Sequence, residues 1–339
     1  MTQTNQTHSL AQRAWGLEQP GLGLSLGGAH ATHDSGRVER QRDWVRLAES
    51  LGLHSVWLPE MHFAAGACPA PLVGLAEFVS LTQRLRLGTT SLLLPLHPPD
   101  EIAAEIAALD RISGGRLLIG LGRGFQREML EAFGVDPLRK RDRFDDALDQ
   151  ILSLWAEANA TGGALSTHQK PHPPLAVAAF GPKGLAQAAR RGLPYLASPV
   201  ESLDQIAENQ ARHRELLPES SAPPLCLVMR SVFVSESEAE LSTARASLEE
   251  EMSRRGSGMP AAIHRAMQAP LDARAIVGKP AQVSGRLQAD RERLGIDLLI
   301  VRPEIAKLET RALEASLRCL ATEIWPEVGK RKLSRALLA

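Results

Sequence analysis

Short apolar runs alternate along this chain with longer stretches whose apolar positions recur every three or four residues. The short runs are 21–27 (GLGLSLG), 55–60 (SVWLPE), 85–94 (LRLGTTSLLL), 117–123 (LLIGLGR), 175–180 (LAVAAF), 194–198 (PYLAS), 225–234 (LCLVMRSVFV) and 297–302 (DLLIVR). Most are apolar at nearly every position, the pattern of strands covered on both faces of a parallel sheet. Helical spacing occupies 38–51, 100–111, 143–156, 183–191, 201–216, 236–254, 279–293 and 308–322. In the first of these Val38, Trp44, Val45, Leu47 and Leu51 fall largely on one side, and Asp100 is placed to cap the second.

Eight strands leading into helices predict an α/β fold, a (β/α)8 TIM barrel; a doubly wound sheet with a second domain is the rival arrangement. No Pro/Gly/Ser-rich linker divides the chain and no tandem repeat exceeds the β/α alternation, so one domain over 20–325 is expected. Residues 1–19 are polar, without a signal peptide's apolar core, and are expected to be a flexible tail; 326–339 are expected to be a C-terminal tail. Residues 253–278 break the regular spacing after strand seven, as an inserted loop with a short helix or as a lid over the C-terminal face.

Charge and composition narrow the function. Lys plus Arg and Asp plus Glu both number 39, and aromatic residues make up 4% of the chain. Such a balance, without interleaved basic and aromatic residues, argues against nucleic acid or an anionic membrane as partner. No apolar stretch approaches membrane-spanning length. Cys68, Cys226 and Cys319 are far apart, with no C-x-x-C and no paired histidine, so neither a disulfide framework nor a metal site is expected; the usage suits a reducing cytoplasm.

Candidate chemistry concentrates in 113–126, SGGRLLIGLGRGFQ, where Gly120, Gly122 and Gly124 alternate around Arg123. The stretch is not a dinucleotide fingerprint, because Phe125 stands where G-x-G-x-x-G needs its last glycine. Arg123 instead stands at the C-terminal end of strand four, where barrel enzymes place their chemistry. Flanking glycines leave room for a ligand, and a guanidinium suits a phosphate; a structural ion pair suits it equally. In AFGPKGLAQAAR (179–190), strand five turns through Gly181 and Pro182 into a helix near Lys183, a helix N-terminus of the anion-binding type with Gly181, Lys183 and Gly184 at its start.

In order and spacing, SVWLPEMHF (55–63), LGTTSLLLPLHPP (87–99) and LDRISGGRLLIGLGRGFQREMLEAFG (109–134) resemble the bacterial-luciferase-like flavin-dependent monooxygenases, as do QKPHPPLAVAAFGPKGLAQAARRGLPYLAS (169–198) and LGIDLLIVRPEI (294–305). The resemblance implies that Arg123, with Gly124 and the turn of Gly181, Lys183 and Gly184, holds the phosphate of FMN. Family members often present Ser or Thr hydroxyls in that turn, where this chain has glycines. Thr89, Thr90 and Ser91 would flank the flavin ring, with a cis bond at Thr90–Ser91, and Ser198 would border the phosphate neighbourhood. Trp57 is expected to pack in or below the barrel, and Cys68 to be inert.

The chain departs from the family at Glu60-Met61-His62. The family often has two histidines after the glutamate, the first linked to acid/base work, and Met61 replaces that first one. Another acid/base group, no need for one, or flavin binding without oxygenation are the three consequences open. His62, with Arg230 or Arg302 at the ends of strands seven and eight, is the candidate for catalytic and polar substrate contacts; Glu60 is expected to fix loop geometry, and His97 to introduce the next helix. The implied function is a monooxygenase using reduced FMN, supplied by a separate flavin reductase, and O2 to oxygenate a small-molecule substrate. Its alternatives are an F420-dependent hydride-transfer oxidoreductase and a non-catalytic flavin-binding subunit. The family also implies a homodimer packed through the early barrel helices.

Overall fold

Nine strands pair in parallel in this computed structural model, which describes residues 10–27, 36–63, 68–219, 221, 224–254 and 261–330. They are β1 (Gly21–Ser25), β2 (Ser55–Leu58), β3 (Arg86–Leu93), β4 (Leu117–Gly122), β5 (Leu175–Ala178), β6 (Tyr195–Ala197), β7 (Leu227–Val234), β8 (Ala275–Gly278) and β9 (Leu298–Arg302). β1 pairs with β2 and β9, while β7 pairs with β6 and β9, so β1 to β7 and β9 close into an eight-stranded barrel. The TIM-barrel expectation holds.

Helices cover the barrel: α1 (Gly36–Ser50), α2 (Pro71–Leu81), α3 (Pro99–Ile112), α4 (Arg127–Ala132), α5 (Lys140–Thr161), α6 (Pro182–Arg190) and α7 (Leu203–Glu215). They continue as α8 (Glu238–Arg254), α9 (Ala261–Met267), α10 (Leu271–Arg274), α11 (Pro280–Leu294), α12 (Thr310–Cys319) and α13 (Trp325–Lys330). The periodicity above does not pick out α2, because PLVGLAEFVSL is apolar almost throughout and shows no polar face; Pro71 at its first position presets the helical φ. Asp100 lies within the first turn of α3 and does not cap it; its charge favours the dipole from there. None of the described helices is long and apolar enough to cross a membrane.

Strand alternation sorts the core into two layers. Val56, Leu58, Leu117, Ile119 and Val228 face the helices, whereas Trp57, Leu118, Ala176, Leu196, Leu227, Met229, Leu298 and Ile300 fill the barrel. Trp57 is fully buried inside it, as expected, and Gly88 makes the space: a Cβ there would lie 2.2 Å from the indole.

Three sequence expectations change. Residues 10–19 are no loose tail, because Trp15 and Leu17 are buried with the barrel interior and close its N-terminal end. A hydrogen-bonded chain ties them in: the Trp57 indole N–H donates to Ser55 Oγ (2.7 Å), Ser55 Oγ lies 2.9 Å from His54 Nδ1, and His54 Nε2 lies 2.9 Å from the Trp15 carbonyl. Burial pulls His54 down to about 4, so the ring is neutral and bridges as a donor on one side and an acceptor on the other. At the other terminus α13 runs to residue 330, Val328 is buried, and its carbonyl accepts from Arg291 at 2.9 Å; 331–339 lie outside the described residues, as do 1–9. Finally, the 253–278 segment ends in a strand. Ser231 is registered with both Arg302 and Ala275, so β8 lies on the edge of β7 opposite β9, extending the edge that β6 pairs lower down. Residues 255–260 of the expected lid lie outside the described residues.

Candidate functional site

Arg123 leaves the top of β4 and lays its guanidinium against the first turn of α6. A Cβ on Gly184 would lie 2.6 Å from both Nη1 and Nη2, so only glycine admits the arginine there. Nη1 donates to Gln187 Oε1 (2.7 Å) and Nη2 to the Ala178 carbonyl (3.0 Å). Gln187 in turn donates to Asp145 (2.8 Å), which is ion-paired with Arg191 at 2.6 Å. The chain from α5 through Gln187 therefore fixes the guanidinium at the helix N-terminus, with two of an arginine's five N–H donors engaged.

A second cation lies close. Lys140, opening α5, donates to the Gly124 carbonyl at 2.9 Å. Burial, then the charge of Arg141, pulls Arg123 down to about 10 against the opposing pull of Asp145. Burial and then the charges of Arg123 and Arg141 lower Lys140 as well. Two half-buried cations, with Arg123 and Arg141 both opposing the charge on Lys140, form a site that an anion would relieve. At the start of α6 a Cβ on Gly181 would meet nothing within 4 Å, and Lys183 is exposed. Gly124 plays a turn role: it has φ +70° and hands its carbonyl to Lys140.

The glycine ladder of β4 has a different purpose from the one its sequence suggests. A Cβ on Gly120 would lie 2.3 Å from the Thr89 carbonyl, and one on Gly122 would lie 2.1 Å from Ser91 Oγ. The room is taken by β3, whose register with β4 shifts between Thr90 and Leu92 and whose Thr90–Ser91 peptide is cis. Thr89 is fully buried and donates its hydroxyl to the Gly120 carbonyl (2.9 Å), so it braces the strands and does not flank a ring. Thr90 Oγ1 is buried with no hydrogen-bond partner among the described residues. By the alternation that puts Ala176, Leu196 and Met229 inside the barrel, Ala178, Ser198 and Ser231 point inward one step higher. The barrel mouth thus has a floor of small side chains.

Beside that floor Glu60 gathers two loops. Its side chain has no exposure and accepts from the Leu93 N–H at 2.6 Å, His62 Nε2 lies 2.7 Å from Oε1, and His97 Nε2 lies 3.0 Å from Oε2. The His62 ring stands edge-on to Phe133, with centroids 4.7 Å apart. Both imidazoles are turned onto the carboxylate, and among the described residues no group of three or more His, Cys, Asp or Glu is arranged to hold a metal. His97 therefore does more than introduce α3.

The two expected substrate arginines separate. Arg230 alternates with the inward Met229 and so points out of the barrel, where Nη1 donates to the carbonyls of Glu201 (2.5 Å) and Arg274 (3.0 Å). It is a structural residue, and the expectation of a substrate contact is corrected. Arg302 follows the inward Ile300 by two and does face the mouth, but it is ion-paired with the buried Glu251 at 2.9 Å. Sequence reasoning missed Lys140, Gln187 and Glu201. Gln187 had a signal, since it follows Gly184 by three on one helix face. Glu201 had none: it is buried beyond β6, where it accepts from Tyr195 Oη, from Asn209 at 2.6 Å and from the Ser198 N–H at 2.7 Å, and burial raises it to about 7.

Comparison with known proteins places this geometry in context. The model of the luciferase-like monooxygenase family matches residues 22–298. The oxygenase component of flavin-dependent trigonelline monooxygenase from Acinetobacter baylyi is 29% identical over 216 residues, 59% of this chain and 60% of that protein. The 4-hydroxyprotoasukamycin monooxygenase of Streptomyces nodosus subsp. asukaensis is 30% identical over 213 residues, 56% of this chain and 57% of that protein. The matches thus span little more than half the length of these curated relatives. Among solved structures, the oxygenating constituent of 3,6-diketocamphane monooxygenase from Pseudomonas putida, in complex with FMN, shares the fold with a TM-score of 0.77 at 18% identity. It covers 93% of this chain and 100% of that one.

Proposed function

The chain belongs to the luciferase-like monooxygenase family, and from that premise we propose that it is a flavin-dependent monooxygenase. It takes reduced FMN from a separate flavin reductase and uses it with O2 to oxygenate a small organic substrate. The observation that carries the reading is the pair of half-buried cations, Arg123 and Lys140, each lowered by burial, beside the open N-terminus of α6. The trigonelline enzyme's name as an oxygenase component supports the separate reductase.

FMN fits what is present. Its phosphate would be held by Arg123, Lys140 and the N–H groups of Gly181 and Lys183, and its ring would lie on the floor of small side chains, where the buried Thr90 hydroxyl lacks a partner among the described residues. Bound there, reduced flavin would supply the electrons that activate O2. The chain's own contribution is to hold the anion, orient the ring over Ser91, Ala178, Ser198 and Ser231, and keep water from the reacting centre. His62 and Glu60 stand at the same mouth, and Arg302 with its partner Glu251 borders it.

The test is anaerobic titration of the purified protein with reduced FMN and, separately, with reduced F420, followed by mixing with O2. Tight binding of reduced FMN and O2-dependent oxygenation support the reading; a folded protein that binds neither cofactor overturns it. F420-dependent hydride transfer is the second reading, favoured by Lys140, Arg141 and Lys183 around Arg123, which offer more positive charge than one phosphate needs. Preferential binding of F420 would establish it. Cytoplasmic localisation and a homodimer complete the proposal. Val38 on α1 and Val73 on α2 are 48% and 71% exposed, an apolar pair on the early helices that a second copy would cover. Sedimentation of the wild type as a dimer, and of Val73→Arg as a monomer, is the expected result.

A further inference from the structure

We propose that Glu60 couples His62 and His97 into one acid/base unit, in which His97 supplies the imidazole that Met61 cannot. The inference rests on the monooxygenase reading, because inserting one oxygen atom of O2 into a substrate requires the other to leave as water.

The geometry of the carboxylate carries it. Glu60 has no side-chain exposure and is met by three donors from two loops: the Leu93 N–H, His62 Nε2 and His97 Nε2. A carboxylate that accepts from both Nε2 atoms fixes both rings in the same tautomer and leaves each Nδ1 to take a proton. With both rings neutral, the buried carboxylate keeps its negative charge without a full counter-charge. One proton on either Nδ1 neutralises the trio, and a second would set two like charges on one carboxylate. The shared carboxylate therefore couples the two rings, so that a proton on one disfavours a proton on the other.

The two rings differ in access. His62 has a side-chain exposure of 9% and is packed against Phe133, whereas His97 has 25%. His62 is thus the more enclosed ring and His97 the more open to solvent. The proton goes from a ring Nδ1 to the oxygen that leaves as water, and solvent returns one to the unit at Nδ1; with both Nε2–H groups donating to Glu60, the carboxylate couples the rings by charge and carries no proton between them. Electrons come from reduced FMN and the oxygen atoms from O2, so the unit itself is neither oxidised nor reduced. Met61 between them carries no titratable group; its N–H is tied to the carbonyl of Cys68, whose thiol is the titratable side chain that loop brings. Leu93 and Phe133 bring none.

A merely structural Glu60 would brace the same loops, so the test reads the coupling of the two rings. The protein labelled with 15N-histidine and free of flavin is titrated by NMR, with His62→Asn and His97→Gln assigning the signals. Both rings are expected as Nε2–H tautomers whose titration curves are linked: His97→Gln changes the curve of His62, and Glu60→Gln uncouples the two. Independent curves, or an Nδ1–H tautomer on either ring, overturn the proposal, whatever becomes of the FMN reading. In turnover, His97→Gln should lower kcat by about 10²-fold with KM unchanged. Adding Met61→His should recover at least about tenfold of that loss, on the same scale of general acid–base catalysis. A folded double variant with no recovery also overturns it, and His97→Asn replaces His97→Gln should the latter fail to fold.

Discussion

The guanidinium of Arg123 occupies the place where a side chain on residue 184 would begin, 2.6 Å from both Nη atoms. Gly184 is thus the condition for Arg123 reaching the N-terminus of α6. Gly184→Ala should displace the guanidinium without removing its charge, and Arg123→Ala should remove both. A charge-assisted hydrogen bond contributes roughly 1.5–3 kcal/mol, so Arg123→Ala should weaken binding of reduced FMN by about 10- to 100-fold. Gly184→Ala should give a loss in the same direction, measured by anaerobic calorimetry. Unchanged affinity in both folded variants would remove the phosphate from this site.

Glu201 makes the fold sensitive to pH. Burial raises its carboxyl from the ordinary 4.5 to about 7. Between those values the folded state binds more protons than the unfolded chain, so the stability this group contributes is fully present below about 4.5 and is lost as pH rises through 7. The shift corresponds to roughly 3 kcal/mol at 1.36 kcal/mol per pH unit. Glu201→Gln should remove this contribution, so the difference in unfolding free energy between wild type and variant should change with pH across the range in denaturant-unfolding curves. A parallel pH slope in wild type and variant would contradict the assignment.

Much of this site was legible in residue order, and the misses have definite causes. The barrel followed from continuous apolar runs, because strands covered on both sides show no alternation to misread. Arg123 followed from its place after β4. The motif Leu109-Asp110 to Arg116, on which much of the resemblance rests, proves architectural: Asp110 accepts from Gln169 at 2.8 Å, and Arg116 donates to Thr82 and the Leu85 carbonyl. Arg230 and Arg302 were indistinguishable as strand-end arginines until the phase of each strand was known, and a single-residue change of phase sends a side chain to the opposite face. Trp15 was hidden in a polar segment because its partner His54 lies 39 residues away.

Gly88 should be intolerant of any side chain. A Cβ there would lie 2.2, 2.5 and 2.5 Å from three atoms of the Trp57 indole, which is fully enclosed and cannot move aside without disturbing Leu118 and the rest of the interior layer. Overpacking of this kind costs about 1–3 kcal/mol. Gly88→Ala should therefore lower the unfolding free energy by that amount and alter the tryptophan emission of the native state. Native stability and emission left intact would mean that the indole has another place to go.

His54 opposes Glu201, and the opposition conceals both in the wild type. Burial holds the imidazole at about 4, below its ordinary 6.5, because its neutral form bridges Ser55 and the Trp15 carbonyl. The unfolded chain binds the extra proton first. This contribution is therefore present above about 6.5 and is lost as pH falls through 4, by roughly 3 kcal/mol at 1.36 kcal/mol per unit. Where the two windows overlap, from about 4.5 to 6.5, the slopes have opposite signs and similar size, and the wild type should show a plateau. Removing either group uncovers the other. Glu201→Gln should lose stability steadily as the medium is acidified through that range, whereas His54→Asn should gain it, from a lower starting value because the bridge to Trp15 is cut. Urea unfolding of the three proteins at matched pH values separates the contributions, and a plateau that survives in both variants would show that neither group titrates with folding.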